Sequence, residues 1–165
     1  MYAIEITNLN KSYKGFKIDN LNLAFPGGYI LGLVGENGAG KSTTIKLILD
    51  MVHKDSGSIS ILGQDYKSVS KEDIGVVMEE NGLPESFNAD EINAVFKNVY
   101  SVWNESEYYS YLKKFSLPLN KKIKDFSKGM KMKLYIAVAL SHNAKLLILD
   151  EATSGLDPVV RDEIL

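Results

Sequence analysis

Cysteine is absent from the 165 residues, which excludes a disulfide framework and a thiolate zinc site and is compatible with a reducing compartment. Arginine is nearly absent as well: of nineteen basic residues eighteen are Lys, and the one Arg is Arg161. Any cation that meets a ligand earlier in the chain must be a lysine. The two histidines, His53 and His142, are too few for a His-rich metal site, and both read as surface or helix residues. No apolar run approaches the roughly 20 residues needed to cross a bilayer. The start, Met1-Tyr2-Ala3-Ile4-Glu5, has no basic segment followed by an apolar core, so no secretory leader is expected. A surplus of charge is also missing. Nineteen basic residues against twenty-one acidic ones leave no broad basic face, so capture of nucleic acid is not expected. What remains, 45% hydrophobic and 24% charged, is the composition of one globular domain, expected in the cytoplasm.

Hydrophobic patterning predicts an α/β chain. Ala3-Ile4-Glu5-Ile6-Thr7 alternates with the period of a half-buried strand, and residues 8 to 20 are polar and read as turns. Tyr29-Ile30-Leu31-Gly32-Leu33-Val34, bounded by glycines, suits a strand buried on both faces, with a mate in Leu146-Leu147-Ile148-Leu149. Ser58-Ile59-Ser60-Ile61-Leu62 and Ile74-Gly75-Val76-Val77-Met78 supply further strands. Strands separated by helical segments argue for a mainly parallel sheet. Between about 88 and 116, Phe96, Tyr100 and Trp103, then Tyr108, Leu112 and Phe115, follow helical spacing and predict two short amphipathic helices. Seven of the sixteen aromatics lie between 96 and 115, so the plain reading is an aromatic core, with Trp103 kept as an interface candidate.

Gly35-Glu36-Asn37-Gly38-Ala39-Gly40-Lys41-Ser42 matches G-x-x-x-x-G-K-[ST], a pattern expected by chance roughly once in a hundred shuffled chains of this composition. It follows an expected strand and precedes Thr43-Thr44-Ile45-Lys46-Leu47-Ile48-Leu49, which opens as a helix. Free N–H groups at a helix N-terminus, aligned with its dipole, bind anions, and glycines let successive N–H groups converge on phosphate oxygens. Lys41 adds a full positive charge and the Ser42 hydroxyl is suited to Mg²⁺. The pattern points to a nucleoside triphosphate.

Leu146-Leu147-Ile148-Leu149-Asp150-Glu151 ends an apolar strand in two carboxylates. Asp150, at the carboxyl end where α/β sheets bind ligands, is expected to hold Mg²⁺ directly or through water. Side chains alternate along a strand, so Glu151 addresses the attacking water instead.

In this order the motifs resemble the ATP-binding subunit of ABC transporters. Phe126-Ser127-Lys128-Gly129-Met130-Lys131-Met132-Lys133-Leu134 resembles the family's signature, in the exporter-type variant YSKGM, and Ser154-Gly155-Leu156-Asp157 resembles its D-loop. Tyr13 stands where the family places an adenine-stacking aromatic. The resemblance implies a P-loop NTPase core with a mainly parallel sheet, N-terminal antiparallel strands and an inserted α-helical subdomain. The core would span 1–80 and 143–165, and the subdomain 81–142. It implies ATP and Mg²⁺ as ligands. Gly35, Glu36, Asn37, Gly38, Ala39, Gly40, Lys41, Ser42 and Thr43 would hold phosphates. Ser127, Gly129 and Met130 would close a partner's nucleotide, with Ser127 and Gly129 expected just ahead of a helix. Ser42 and Asp150 would manage the metal. Glu79 stands where the family has a Gln, and a carboxylate there is a further metal candidate that also repels a triphosphate.

The implied assembly is a head-to-tail dimer of ATPase subunits that drives a separate transmembrane permease, in export, from the inner face of the membrane. Two rivals are a soluble ABC-type ATPase acting on nucleic acid or ribosomes and a phosphotransferase outside the family. The first generally carries coiled-coil, zinc or tandem-cassette additions not seen here, and the second an arginine-rich lid. The family's switch histidine falls beyond Leu165 and the chain stops inside an expected helix, so a truncated, weakly hydrolysing chain is expected.

Overall fold

The alternating N-terminal residues form a long strand, β1 (Tyr2–Tyr13), which returns through a two-residue turn, Lys14-Gly15, as β2 (Phe16–Pro26). The structure, a computed structural model, describes residues 1–78 and 82–150. These fall into two compact units, Met1–Ser70 and the part from Lys71 onward.

In the first unit β1 also pairs with β3 (Ser56–Ile61), which pairs with the short β4 (Gln64–Asp65), giving an antiparallel sheet of order β2-β1-β3-β4. One helix, α1 (Lys41–Ile48), belongs to this unit. Ile4, Ile6, Ile59 and Ile61 share the buried face. Leu9, at an odd position, is buried too, because β1 breaks register between Ile6 and Leu9 and Asn8 takes a positive φ of 49°. An extra residue in a strand returns the next side chain to the same face. β2 does the same at Asn20, φ 49°, between the buried Ile18 and the half-buried Leu21.

The polar stretch expected as turns is therefore mostly strand, and its asparagines repair the irregular ladder. Asn8 N donates to Asn22 Oδ1 at 2.9 Å and Asn20 N to Asn10 Oδ1 at 2.9 Å. These side chains accept from backbone amides that the bulges take out of strand pairing. Gly57, φ +90°, crosses this bulge so closely that a Cβ would stand 2.4 Å from Asn8 O.

A second correction concerns 29–34. The segment has no strand conformation, and Tyr29, Ile30 and Val34 are 73%, 93% and 92% exposed. A strand buried on both faces needs neighbours to pair its backbone, and the sheet of this unit is completed by β1 to β4 without it.

The second unit contains β5 (Ile74–Val77), α2 (Ala89–Val99), α3 (Glu105–Lys114), α4 (Lys128–Leu140) and β6 (Leu146–Leu149). The mate of β6 is β5, in parallel register from Ile74↔Leu146 to Val77↔Leu149. A parallel pair needs a long crossover, and the three helices lie within it. Their starts are written in sequence: Asn88 caps α2 in a reciprocal box with Glu91, Asn104 caps α3 and Ser127 caps α4. Helices α2 and α3 stand where the aromatic spacing predicts two, but α2 holds only Phe96 of its triplet: it ends at Val99, Tyr100 is its extended C-cap and Trp103 lies beyond it. Their core gathers Ile92, Tyr108, Leu112, Phe115 and Leu134, and the Tyr108 hydroxyl donates to Ala89 O at 3.0 Å.

Trp103 belongs to this aromatic packing. Its ring lies 5.6 Å from Phe96 and 6.1 Å from Tyr100, and its indole N–H donates to Asn93 Oδ1 at 2.8 Å. His142, read from sequence as a surface or helix residue, is 3% exposed, with its ring 4.2 Å from that of Tyr100 and within 2° of parallel. A neutral imidazole has two apolar faces and needs few partners, so it tolerates burial. Its Nδ1 lies 3.0 Å from Glu72 O; a carbonyl only accepts, so Nδ1 carries the hydrogen. Burial holds its pKa below the ordinary 6.5.

Candidate functional site

The phosphate loop is shaped by two left-handed glycines. Gly38 has φ +84° and Gly40, the N-cap of α1, has φ +93°. Ala39 N donates to Glu36 O at 3.1 Å, closing the turn, and the first helical hydrogen bond runs from Thr44 N to Gly40 O at 2.8 Å. Amides ahead of that bond lie outside the helical ladder, at the positive end of the helix dipole. The first turn of α1 contains no acidic residue to offset it.

Lys41 curls over the loop: its Nζ donates to Gly35 O at 2.7 Å and to Glu36 O at 2.9 Å. An ammonium has three donors, so this lysine braces the loop while retaining capacity for an anion. Glu36, Asn37 and Gly38 are exposed; Gly40, Lys41, Ser42 and Thr43 are partly covered. A cavity of about 270 Å³ opens beside Gly40, Lys41 and Thr44, its wall continued by Lys17, Leu23 and Val34.

Tyr13 reaches this loop through a neighbour that sequence reasoning missed. It ends β1 across from Phe16, their rings 6.4 Å apart and inclined by 27°, and Phe16 Cζ lies 2.7 Å from where a Cβ on Gly40 would stand. The hairpin tip is thereby seated on the helix cap. Tyr13 remains 44% exposed, with Lys11 Nζ 5.2 Å from its ring centre. Asp55, equally unforeseen, holds this end of β1. It accepts from Lys11 Nζ at 2.9 Å and from Ser12 N at 2.7 Å, and these two bonds, the lysine's foremost, hold its carboxyl below the ordinary range. An aspartate 43 residues from Ser12 in sequence carries no motif to mark it.

In the second unit, Ser127 caps α4, its Oγ accepting from Met130 N at 3.2 Å. Gly129 does not precede the helix as expected but lies in its first turn, since α4 opens at Lys128. The first turn of α4 has no acidic residue either. Lys131, one turn along, pairs with Glu85 at 2.6 Å and lowers that carboxyl's pKa. Asp150 follows β6, and its N–H donates to Val77 O at 2.8 Å, which places it at the carboxyl ends of both parallel strands. Glu79 and Glu151, and the stretch resembling the D-loop, lie outside the described residues.

Among the described residues no group of three or more His, Cys, Asp or Glu side chains converges on a cation position. Ser42 in the first turn of α1 and Asp150 after β6, each in its own unit, carry a hard oxygen, the donor type that Mg²⁺ takes alongside phosphate and water. No described helix is long and apolar enough to cross a membrane.

Comparison with known proteins accounts for the order of these elements. The ABC transporter family matches residues 18–154. The lantibiotic transport ATP-binding protein SrtF of Streptococcus pyogenes is 40% identical over 164 residues, covering 98% of this chain and 71% of its own. The Nod factor export ATP-binding protein I of Sinorhizobium fredii is 37% identical over 173 residues, covering 96% of this chain and 49% of its own. Among solved structures, an ATP binding subunit of an ABC transporter superposes with a TM-score of 0.84 at 30% identity, over 98% of this chain and 71% of that one. With a glycine-capped phosphate loop in one unit and a serine-capped signature helix and acidic strand end in the other, the chain belongs to the ABC transporter family, in its ATP-binding and ATP-hydrolysing domain.

Proposed function

We propose that this chain binds Mg-ATP on the 35–43 loop and couples its hydrolysis to a separate membrane permease, in export, from the cytoplasmic face of the membrane. The observation that carries this reading is the loop itself, in which Gly40 opens the helix in a left-handed conformation and Lys41 folds back to brace it. The amides of Lys41, Ser42 and Thr43 and the Lys41 ammonium take the phosphates. The exposed face of Tyr13, fixed by Phe16 and by the Asp55 brace, stacks on adenine. Ser42 and Asp150 hold Mg²⁺, with Glu79 as a further ligand. The metal supplies charge neutralisation at the phosphates. Glu151 polarises the attacking water and holds its proton.

Ser127, Gly129 and Met130 serve in trans. Capping by Ser127 and the absence of acid in the first turn leave the start of α4 attractive to an anion. A second subunit, head to tail, would present this turn to the first subunit's γ-phosphate. The single arginine lies past the acidic strand, so transition-state charge falls on Lys41, Mg²⁺ and these partner amides. Export is supported by the signature variant and by relatives named for Nod factor export. No nucleic acid enters this scheme. The helices between 81 and 142 form its helical subdomain with the signature, and 1–80 with 143–165 its ATP-binding core.

The test is nucleotide titration of the chain and of Lys41→Ala, with steady-state turnover alongside. Binding lost in Lys41→Ala supports the reading; unchanged affinity refutes it. This chain alone is expected to bind Mg-ATP and turn it over slowly, since closure needs a second subunit, and rapid turnover abolished by Glu151→Gln would contradict that. Recovery of a bound permease from membranes separates a transporter subunit from a soluble ATPase.

A further inference from the structure

We propose that Asn37 is a site of spontaneous deamidation, and that conversion to aspartate or isoaspartate switches the phosphate loop off unless nucleotide covers it. Asn37 is followed by Gly38, the amide least hindered toward ring closure, because glycine has no Cβ beside its nitrogen. Both residues are exposed, and nothing lies within 4 Å of where a Gly38 Cβ would stand, so water and the reacting groups have room. The Asn37 carboxamide makes no hydrogen bond among the described residues. The asparagines of the bulges and the helix caps differ on both counts. Asn8, Asn10, Asn20 and Asn22 are tied into the β-bulges, Asn88 and Asn104 cap helices, and each is followed by a residue with a side chain. Asn81-Gly82 repeats the dipeptide, with Asn81 outside the described residues.

The chemistry needs only water. The Gly38 backbone nitrogen attacks Asn37 Cγ, forming the N–Cγ bond of a five-membered succinimide. The bond from Cγ to the carboxamide nitrogen breaks, and that nitrogen leaves as ammonia, taking through water the proton lost by the Gly38 amide. A water then adds to either ring carbonyl. Opening one side yields an ordinary aspartate at position 37; opening the other yields isoaspartate, with a methylene added to the main chain. Both products place a negative charge on the loop that Lys41 and the α1 N-terminus keep positive for phosphate, and the second also lengthens the curl that Ala39 N and Glu36 O close. Protection by nucleotide rests on the proposed function; formation of the succinimide does not.

The full chain, incubated for days at mildly alkaline pH, would be read by isoaspartyl methylation and peptide mapping, with and without Mg-ATP. Isoaspartate is expected at position 37, well ahead of Asn120, which precedes Lys121. Mg-ATP at ten times its Kd is expected to slow it about tenfold, the factor by which free loop is depleted. Lys41→Ala should deamidate at the unprotected rate with or without nucleotide. Asn37→Gln should lose the signal, and aged wild-type protein should lose ATP affinity by about tenfold or more while aged Asn37→Gln keeps its own. Modification at 37 no faster than at Asn120 overturns the proposal. Modification that proceeds while saturating Mg-ATP fails to slow it leaves the deamidation site standing and removes the nucleotide reading of the loop.

Discussion

Phe16 Cζ stands 2.7 Å from the place a Gly40 Cβ would take, so a side chain at Gly40 must push the Phe16 ring aside. Gly40 is also at φ +93°, which only glycine adopts readily. Gly40→Ala is expected to weaken ATP binding by about tenfold or more, as clash and backbone strain together displace the loop. Adding Phe16→Ala relieves the clash and leaves the strain, so the double variant should recover part of the affinity. Titration with a fluorescent nucleotide checks both; an unaffected single variant would contradict the close seating.

Asp55 holds the end of β1 that carries Tyr13, the residue proposed to stack on adenine. Asp55→Asn weakens the hold on Lys11 and Ser12, the two groups that precede Tyr13. A loss of ATP affinity of about threefold to tenfold is expected, with affinity for inorganic triphosphate unchanged. Competition titrations with the two ligands distinguish this from general loosening of the site, which would weaken both.

Tyr108 is fully buried and donates to Ala89 O, and burial pushes its phenol well above the ordinary value of 10.0. Tyr108→Phe keeps the ring but removes that hydrogen bond, a loss of about 1 kcal/mol. Urea unfolding followed by circular dichroism should show the midpoint fall. Nucleotide affinity of the folded protein should not change.

Stability should also depend on pH through His142. Its folded pKa lies below 6.5, because burial against Tyr100 opposes the charged form. The unfolded chain therefore binds the proton more readily, and stability that is complete above 6.5 declines as pH falls through the folded value. Glu72 is the nearby carboxylate, already accepting from Ser101 N and Oγ. The carboxyls lowered by lysine partners, Glu85, Glu91 and Glu105, contribute above their ordinary 4.5 and lose that contribution only below it. The interval from 6.5 down to 4.5 thus isolates the histidine. Urea midpoints across it should fall for the wild type and stay nearly level for His142→Phe; parallel slopes would assign the dependence elsewhere.

Local chemistry accounts for what was legible in the chain. The loop from Gly35 to Ser42, the cap at Ser127, the helical spacing of Tyr108 to Phe115 and the carboxylate after Leu149 each depend on residues adjacent in sequence, so their patterns survive without coordinates. The signature's order relative to the acidic strand was equally readable.

Tertiary structure decided what depends on distant partners. Whether a polar asparagine ends a strand or repairs one is settled by the neighbour it bonds, and Asn8 and Asn20 are bulge residues because Asn22 and Asn10 lie opposite. Whether a histidine is solvated or buried is settled by what stacks on it, and Tyr100 and Glu72 lie 42 and 70 residues before His142. Strand pairing follows the same rule: β6 found β5, and the apolar run at 29–34, with no pairing in its own unit's sheet, stayed outside regular structure. Backbone groups must be paired by something, and the sequence names the groups but not the partners. The phosphate loop was therefore readable residue by residue, whereas Phe16 beneath Gly40 and Asp55 behind Tyr13 emerged only when the chain had folded.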